Sequence, residues 1–221
     1  MLGTHGRSFW VLDDTAPLAE WSESLDSPVH IYSIRPTTLF HYWKDTSYRG
    51  QEEWTGPNPD YGAIINFIVN SNEGQAFIEI KRRNKTIRSY QLSVSPGVIN
   101  RFVWDLKHPP PPFIENNKET PGLIKPDKSE LLPIPPHSLD AKGPHVSPGV
   151  YTVTVSVGNK SHSQTVRVNG DPKLNLRTGD YRQRETFLLE LHALHKQAFT
   201  LNEKLKEMVK QSSKRMKADD K

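Results

Sequence analysis

Six short runs rich in β-branched and aromatic residues, each closed by glycine, asparagine or proline, leave this chain little choice but an antiparallel β architecture. The runs cover residues 63–69, 76–80, 86–92, 99–106, 149–157 and 163–168, with turn signals at Asn72-Glu73-Gly74, Arg83-Asn84-Lys85, Ser95-Pro96-Gly97 and Gly158-Asn159. Branching at Cβ restricts χ1 and suits a pleated surface, and turn residues recur too often for helices of ordinary length. Tyr151, Val153, Val155 and Val157 alternate with Thr152, Thr154 and Ser156, so this run buries one face and wets the other. The expected fold is mainly β: an immunoglobulin-like or fibronectin-like antiparallel sandwich.

The segments around these runs are less regular. Residues 2–14 read as a turn feeding a buried strand, because Phe9, Trp10, Val11 and Leu12 lie between Gly3 and Gly6 on one side and Asp13, Asp14 and Pro17 on the other. A strand's backbone groups need partners, and the expectation is that its sheet was lost upstream. Residues 15–60 form a connecting segment with strands expected at 29–34 and 39–43, closed by Gly56-Pro57-Asn58-Pro59. A proline-rich insertion spans 107–148, and its His108-Pro109-Pro110-Pro111-Pro112 opening must run extended, since each ring fixes φ and removes a donor. As a target for a proline-binding domain this run lacks a flanking basic residue at suitable spacing.

The last segment, 171–221, is read as a helix with a basic tail. Phe187, Leu191, Leu194, Ala198, Leu201, Leu205 and Met208 recur at steps of four and three, placing them on one stripe. With Asp180 as N-cap and Gln183 as its partner, the helix is expected to reach about Ser212, roughly 50 Å at 1.5 Å per residue. An apolar strip of that length needs cover, from another helix, from a second copy, or from a groove in a larger assembly.

Composition narrows the function classes. Across 221 residues the formal charge is +4, mean hydropathy is −0.67 and apolar residues make up 34%, low for one compact globule and in keeping with linker or exposed helix. The excess charge gathers at Lys204, Lys206, Lys210, Lys214, Arg215 and Lys217; a lysine-rich terminal helix without groove-entering elements reads as a solvated face, not a nucleic-acid site. There are no cysteines, which excludes disulfides, thiolate metal sites and cysteine nucleophiles. Residues 63–69, the longest apolar run, are too few to cross a bilayer, and no targeting signal precedes them. If Met1 is the start the expectation is a cytosolic chain; if it is internal to a longer one, the absent signal carries no weight.

Few residues look chemical. Asp13 and Asp14 are adjacent on extended backbone, so their side chains diverge and serve better as turn acceptors than as a catalytic pair or metal site. His5 beside Gly6, with Arg7, reads as a structural turn histidine. Serine-histidine-carboxylate phrases, phosphate-cradling glycine loops and metal-ligand spacings are absent from the sequence, so no catalytic, cofactor or metal residues are assigned. Trp104 alternates with Phe102 and reads as core. Trp21, Trp43, Trp54 and Tyr61 lie in the irregular first third, where aromatic faces could stack on sugar rings; the competing reading is that they cement a domain joint.

Several phrases together resemble the C-terminal part of sortilin-like, BNR-repeat propeller proteins related to glycoside hydrolases. Residues 3–14 (GTHGRSFWVLDD) look like the propeller exit, Pro57-Asn58-Pro59 with Gly62-Ala63-Ile64-Ile65 like the entry to the sandwich, and residues 100–107 (NRFVWDLK) like that family's NRFVWDLR. Residues 148–153 (PGVYTV) and 171–173 (DPK) are similar to its PGTYTV and DPR phrases. Lysine stands for arginine at 107 and 173, the insertion is long, and no Ser-x-Asp-x-Gly-x-Thr-Trp repeat occurs. The resemblance implies a remnant of the last propeller blade at 1–14, a connecting segment at 15–60, a sandwich at 61–170 and the helical region beyond. It further implies a non-catalytic accessory module of an exported parent, with the upstream propeller as partner. A carbohydrate-binding module, or a piece of a glycoside hydrolase whose carboxylates lie upstream, are the alternatives.

Overall fold

A computed structural model describes residues 2–3, 9–10, 14–40, 60–71, 74–111 and 143–219. The chain divides into two compact units, Met1–Lys107 with Val146–Tyr181, and His108–His145 with Arg182–Lys221.

The first unit is a two-sheet β structure. Strands β1 (Leu2–Gly3) and β2 (Phe9–Trp10) pair antiparallel with each other through Leu2↔Trp10 and Gly3↔Phe9, so the expected strand has a partner just upstream along one edge. Next come two short helices that the sequence did not announce, α1 (Ala16–Ala19) and α2 (Trp21–Leu25). Asp14 Oδ1 accepts the Ala16 N–H at 3.0 Å and Pro17 occupies the first turn of α1, where a missing N–H does no harm. Strands β3 (Val29–Ile31) and β4 (Thr37–Thr38) are shorter than expected, and β4 is displaced toward the N-terminus. Residues 41–43 of the expected second strand lie outside the described residues.

Strands β5 (Ala63–Val69), β6 (Gln75–Arg82), β7 (Lys85–Ser93), β8 (Ile99–Trp104), β9 (Gly149–Val157) and β10 (Lys160–Asn169) follow the six predicted runs. They form a five-stranded sheet ordered β4-β10-β9-β6-β7 and a three-stranded sheet ordered β3-β5-β8. The β6–β7 and β9–β10 hairpins and the β6–β9 pair are antiparallel, whereas β4 joins β10 in parallel through Val168↔Thr37 and Asn169↔Thr38. The sheets therefore begin earlier than residue 61, drawing β3 and β4 from the expected connecting segment.

One core lies between the sheets. Ile31, Ile65, Phe67 and Trp104 come from the smaller sheet, and Ile78, Ile80, Tyr151, Val153, Val155 and Val166 from the larger, all buried. Each such side chain contributes about 1.5–3 kcal/mol of burial. The alternation predicted for residues 151–157 holds, with Tyr151, Val153, Val155 and Val157 inside. Trp104 is fully buried, edge-on to Tyr151, and donates its indole N–H to the Lys107 carbonyl at 3.3 Å. Gly62 enters β5 at φ +138°, and a Cβ there would collide with the Trp104 carbonyl, so only glycine fits.

Helix α3 (Thr178–Asp219) is 42 residues long. Asp180 is not its N-cap: the helix begins two residues earlier, and Asp180 Oδ2 reaches back to accept the Arg177 N–H at 2.7 Å, the reciprocal half of a capping box. The helix also continues past Ser212, where Lys and Arg are good helix formers and suit the negative end of the dipole.

Candidate functional site

Of the four aromatic residues picked out for sugar stacking, Trp43 and Trp54 lie outside the described residues. Trp21 sits on α2 with 42% of its surface exposed, while Tyr61 is half-buried against the sandwich core. Tyr61 thus packs in part against the core, and Trp21 presents an exposed indole. His5, Arg7 and Asp13 also fall outside the described residues.

The polar side chains of the first unit are organised around its entry segment. Asp14 Oδ2 accepts the Asn66 Nδ2–H at 2.7 Å, and Asn66 Oδ1 accepts the Arg101 Nε–H at 3.0 Å, so a buried amide on β5 joins a carboxylate to a guanidinium. The Tyr32 hydroxyl donates to Ser24 Oγ, and Asn70 donates to the Ser24 and Ser27 carbonyls, tying α2 to the smaller sheet. Glu20 accepts the Ser33 N–H on both oxygens at 3.2 Å and meets His30 Nε2 at 3.2 Å. Burial pushes the Glu20 carboxyl up, but the hydrogen bonds from Ser33 and His30 outweigh it and hold the group below its ordinary range.

His30 in turn stacks on His162 of β10, ring centres 5.0 Å apart. His162 Nδ1 accepts the Ile31 N–H at 2.8 Å, which fixes the tautomer with its proton on Nε2. This bond satisfies an outward N–H on β3, the edge strand of the smaller sheet, using a side chain from the larger one. Burial and the neighbouring His30 lower the His162 pKa, against a smaller opposing pull from Glu20.

The second unit holds a different constellation. His108 donates its backbone N–H to the Pro144 carbonyl at 2.8 Å, and Gly143 lies so close to the His108 carbonyl that a Cβ would collide with it. The His108 ring is buried with Glu185 of α3, Nε2 to Oε1 at 2.8 Å. Beside this pair a cavity of about 500 Å³ is walled by Pro111, Gly143, Pro144 and His145 on one side and by Leu188, Leu191, His192 and His195 on the other. Three imidazoles therefore share a mostly apolar cavity, and His192 Nε2 is buried without a hydrogen-bond partner. Among the described residues no three His, Cys, Asp or Glu side chains are placed to hold one metal ion.

Apart from Leu191, which walls the cavity, the apolar stripe of α3 is uncovered. Phe187, Leu194, Leu201, Leu205 and Met208 are each 60–64% exposed, far more than scattered surface residues would need. Sequence reasoning located this stripe but missed the histidine cavity. The helical half of that signal was present, in the spacing of Leu188, Leu191, His192 and His195; the return of residues 143–145 to the same face was not.

No family model, curated protein or solved structure matches this chain. No helix among the described residues is long and apolar enough to cross a membrane.

Proposed function

We propose that the chain is a non-catalytic accessory module, an immunoglobulin-like or fibronectin-like sandwich from the C-terminal part of an exported, sortilin-like BNR-repeat protein, set against an upstream propeller. The observation that supports this reading most is the polar lock at the sandwich entry. Asp14, Asn66 and Arg101, together with Glu20, Ser33 and His30, fasten residues 14–33 to the sheets. A segment handed over from a preceding domain needs such fastening if the two are to move together. The carboxylates of Asp14, Glu20 and Asp105 are engaged in internal bonds to Asn66, Ser33 and Arg88, a use that fits scaffolding better than acid-base work.

The test is to read the coding DNA upstream of Met1. An open frame carrying Ser-x-Asp-x-Gly-x-Thr-Trp repeats is the expected result, and an in-frame stop shortly before Met1 would refute the reading. Cleavage of a glycoside by the 221-residue chain alone would refute its non-catalytic part. The exposed indole of Trp21 supports carbohydrate binding as the second reading, for which polysaccharide retention of the chain must fall on Trp21→Ala.

A further inference from the structure

From Phe187 to Met208 the a and d positions of a heptad along α3 are apolar without interruption. Leu191, Ala198 and Leu205 take position a, and Phe187, Leu194, Leu201 and Met208 take position d. We propose that this seam is covered by the same seam of a second copy of the chain, running antiparallel about a two-fold axis level with residue 196.

Two observations on the helix select this occupant and this direction. The first is volume. Antiparallel pairing about that axis stacks Phe187 on Leu205, Leu191 on Leu201 and Leu194 on Ala198, each layer occurring twice. A large side chain thereby faces the seam's single small one, as close packing requires. In a parallel pair Ala198 would meet Ala198 and leave a void at the centre of the seam. The second is charge. Glu190, Gln197 and Lys204 occupy the exposed g flank. The same axis brings Glu190 of each copy against Lys204 of the other and sets Gln197 against Gln197. Parallel alignment would instead direct Glu190 toward His195 and Lys204 toward the apolar Val209. Complementarity on a flank that also closes under two-fold symmetry is the mark of an isologous interface.

The cavity described above shares one residue with this contact: Leu191 walls it and is also a seam residue, with 53% of its surface still exposed, whereas Leu188, His192 and His195 lie to one side of the seam. The cavity touches the helix only between residues 188 and 195. The two-fold axis carries the second copy's equivalent segment to the level of residues 197–204, so the two lie one beyond the other.

The full 221-residue chain is to be examined by sedimentation at micromolar concentration, with a mass of about twice 25.2 kDa expected. Leu194→Glu and Leu201→Glu must each yield a monomer with unaltered circular dichroism, since both side chains are already exposed. Because the chain has no cysteine, single substitutions report the direction. Gln197→Cys is expected to link to itself under mild oxidation, while Leu191→Cys does not, its layer partner being Leu201. Glu190→Lys should weaken the dimer roughly tenfold, and adding Lys204→Glu should restore it. A chain that stays monomeric overturns the proposal and leaves the seam to another partner. Self-linking of Leu191→Cys without that of Gln197→Cys overturns the antiparallel arrangement.

Discussion

Lowering the pH from about 7.5 to about 5, across the ordinary range of histidine titration, is expected to weaken the sandwich through one imidazole. His162 Nδ1 accepts the N–H of Ile31, a fully buried residue of β3, and protonation of that nitrogen abolishes the bond. An unsatisfied buried donor costs about 1–3 kcal/mol; because the His162 ring is partly exposed, the lower end applies, about 1 kcal/mol. For a chain of this size that corresponds to a fall of about 2–4 °C in Tm. The sign follows from the lowered pKa of His162: below the ordinary value the unfolded chain takes up the proton first. Stability therefore rises with pH between the depressed value and about 6.5 and is lost on acidification. The charged and titratable groups nearest the ring are His30 and Glu20. Glu20, held below its ordinary 4.5, contributes stability that is lost only at lower pH still. Urea melts of the unaltered chain and of His162→Asn at both pH values make the measurement, since asparagine keeps an acceptor at the same place and does not titrate. The variant should show a flatter dependence by about 1 kcal/mol. Equal losses in the two proteins would refute the role of this hydrogen bond.

Three further outcomes are expected. Asn66→Ala breaks the bridge between Asp14 and Arg101 and should cost about 2 kcal/mol in chemical denaturation, with protease cleavage rising within residues 14–33. Gly62→Ala combines a φ that L residues avoid with a collision against the Trp104 carbonyl; a loss greater than about 2 kcal/mol is expected, and a neutral result would mean that β5 can shift away. His108→Leu leaves the Glu185 carboxylate buried without its imidazole and should destabilise the second unit by about 3 kcal/mol, read by hydrogen exchange along α3.

The parts of the fold that the sequence disclosed are those in which a repeating period outlasts local noise. Residues 149–157 carry four and a half turns of a two-residue alternation, and the stripe of α3 runs through three heptads, so both elements were legible. Helices of four and five residues such as α1 and α2 complete little more than one turn and offer no period to read. The two-residue strand β4 exists only because β10 supplies its partner, a tertiary fact. The same distinction separates the two candidate sites. The uncovered seam is a property of one helix, whereas the histidine cavity needs residues 145 and 192, which no local pattern connects. Residue 66 is the sharpest case: an asparagine in the apolar run 63–69 looks like an interruption, and its use emerges only when Asp14 and Arg101 converge on it.

The strand ends that flank the proline-rich insertion stand one hydrogen bond apart, the Val146 N–H donating to the Leu106 carbonyl at 2.9 Å. The sandwich thus closes on itself before the chain leaves and after it returns. Loop-closure entropy grows only with the logarithm of length, about 0.6 kcal/mol for each doubling. This neck is consequently a natural graft point, where the length of chain joining Leu106 to Val146 weighs little on the entropy of closing the β unit. Evolution could vary the cargo carried there without redesigning the scaffold that carries it.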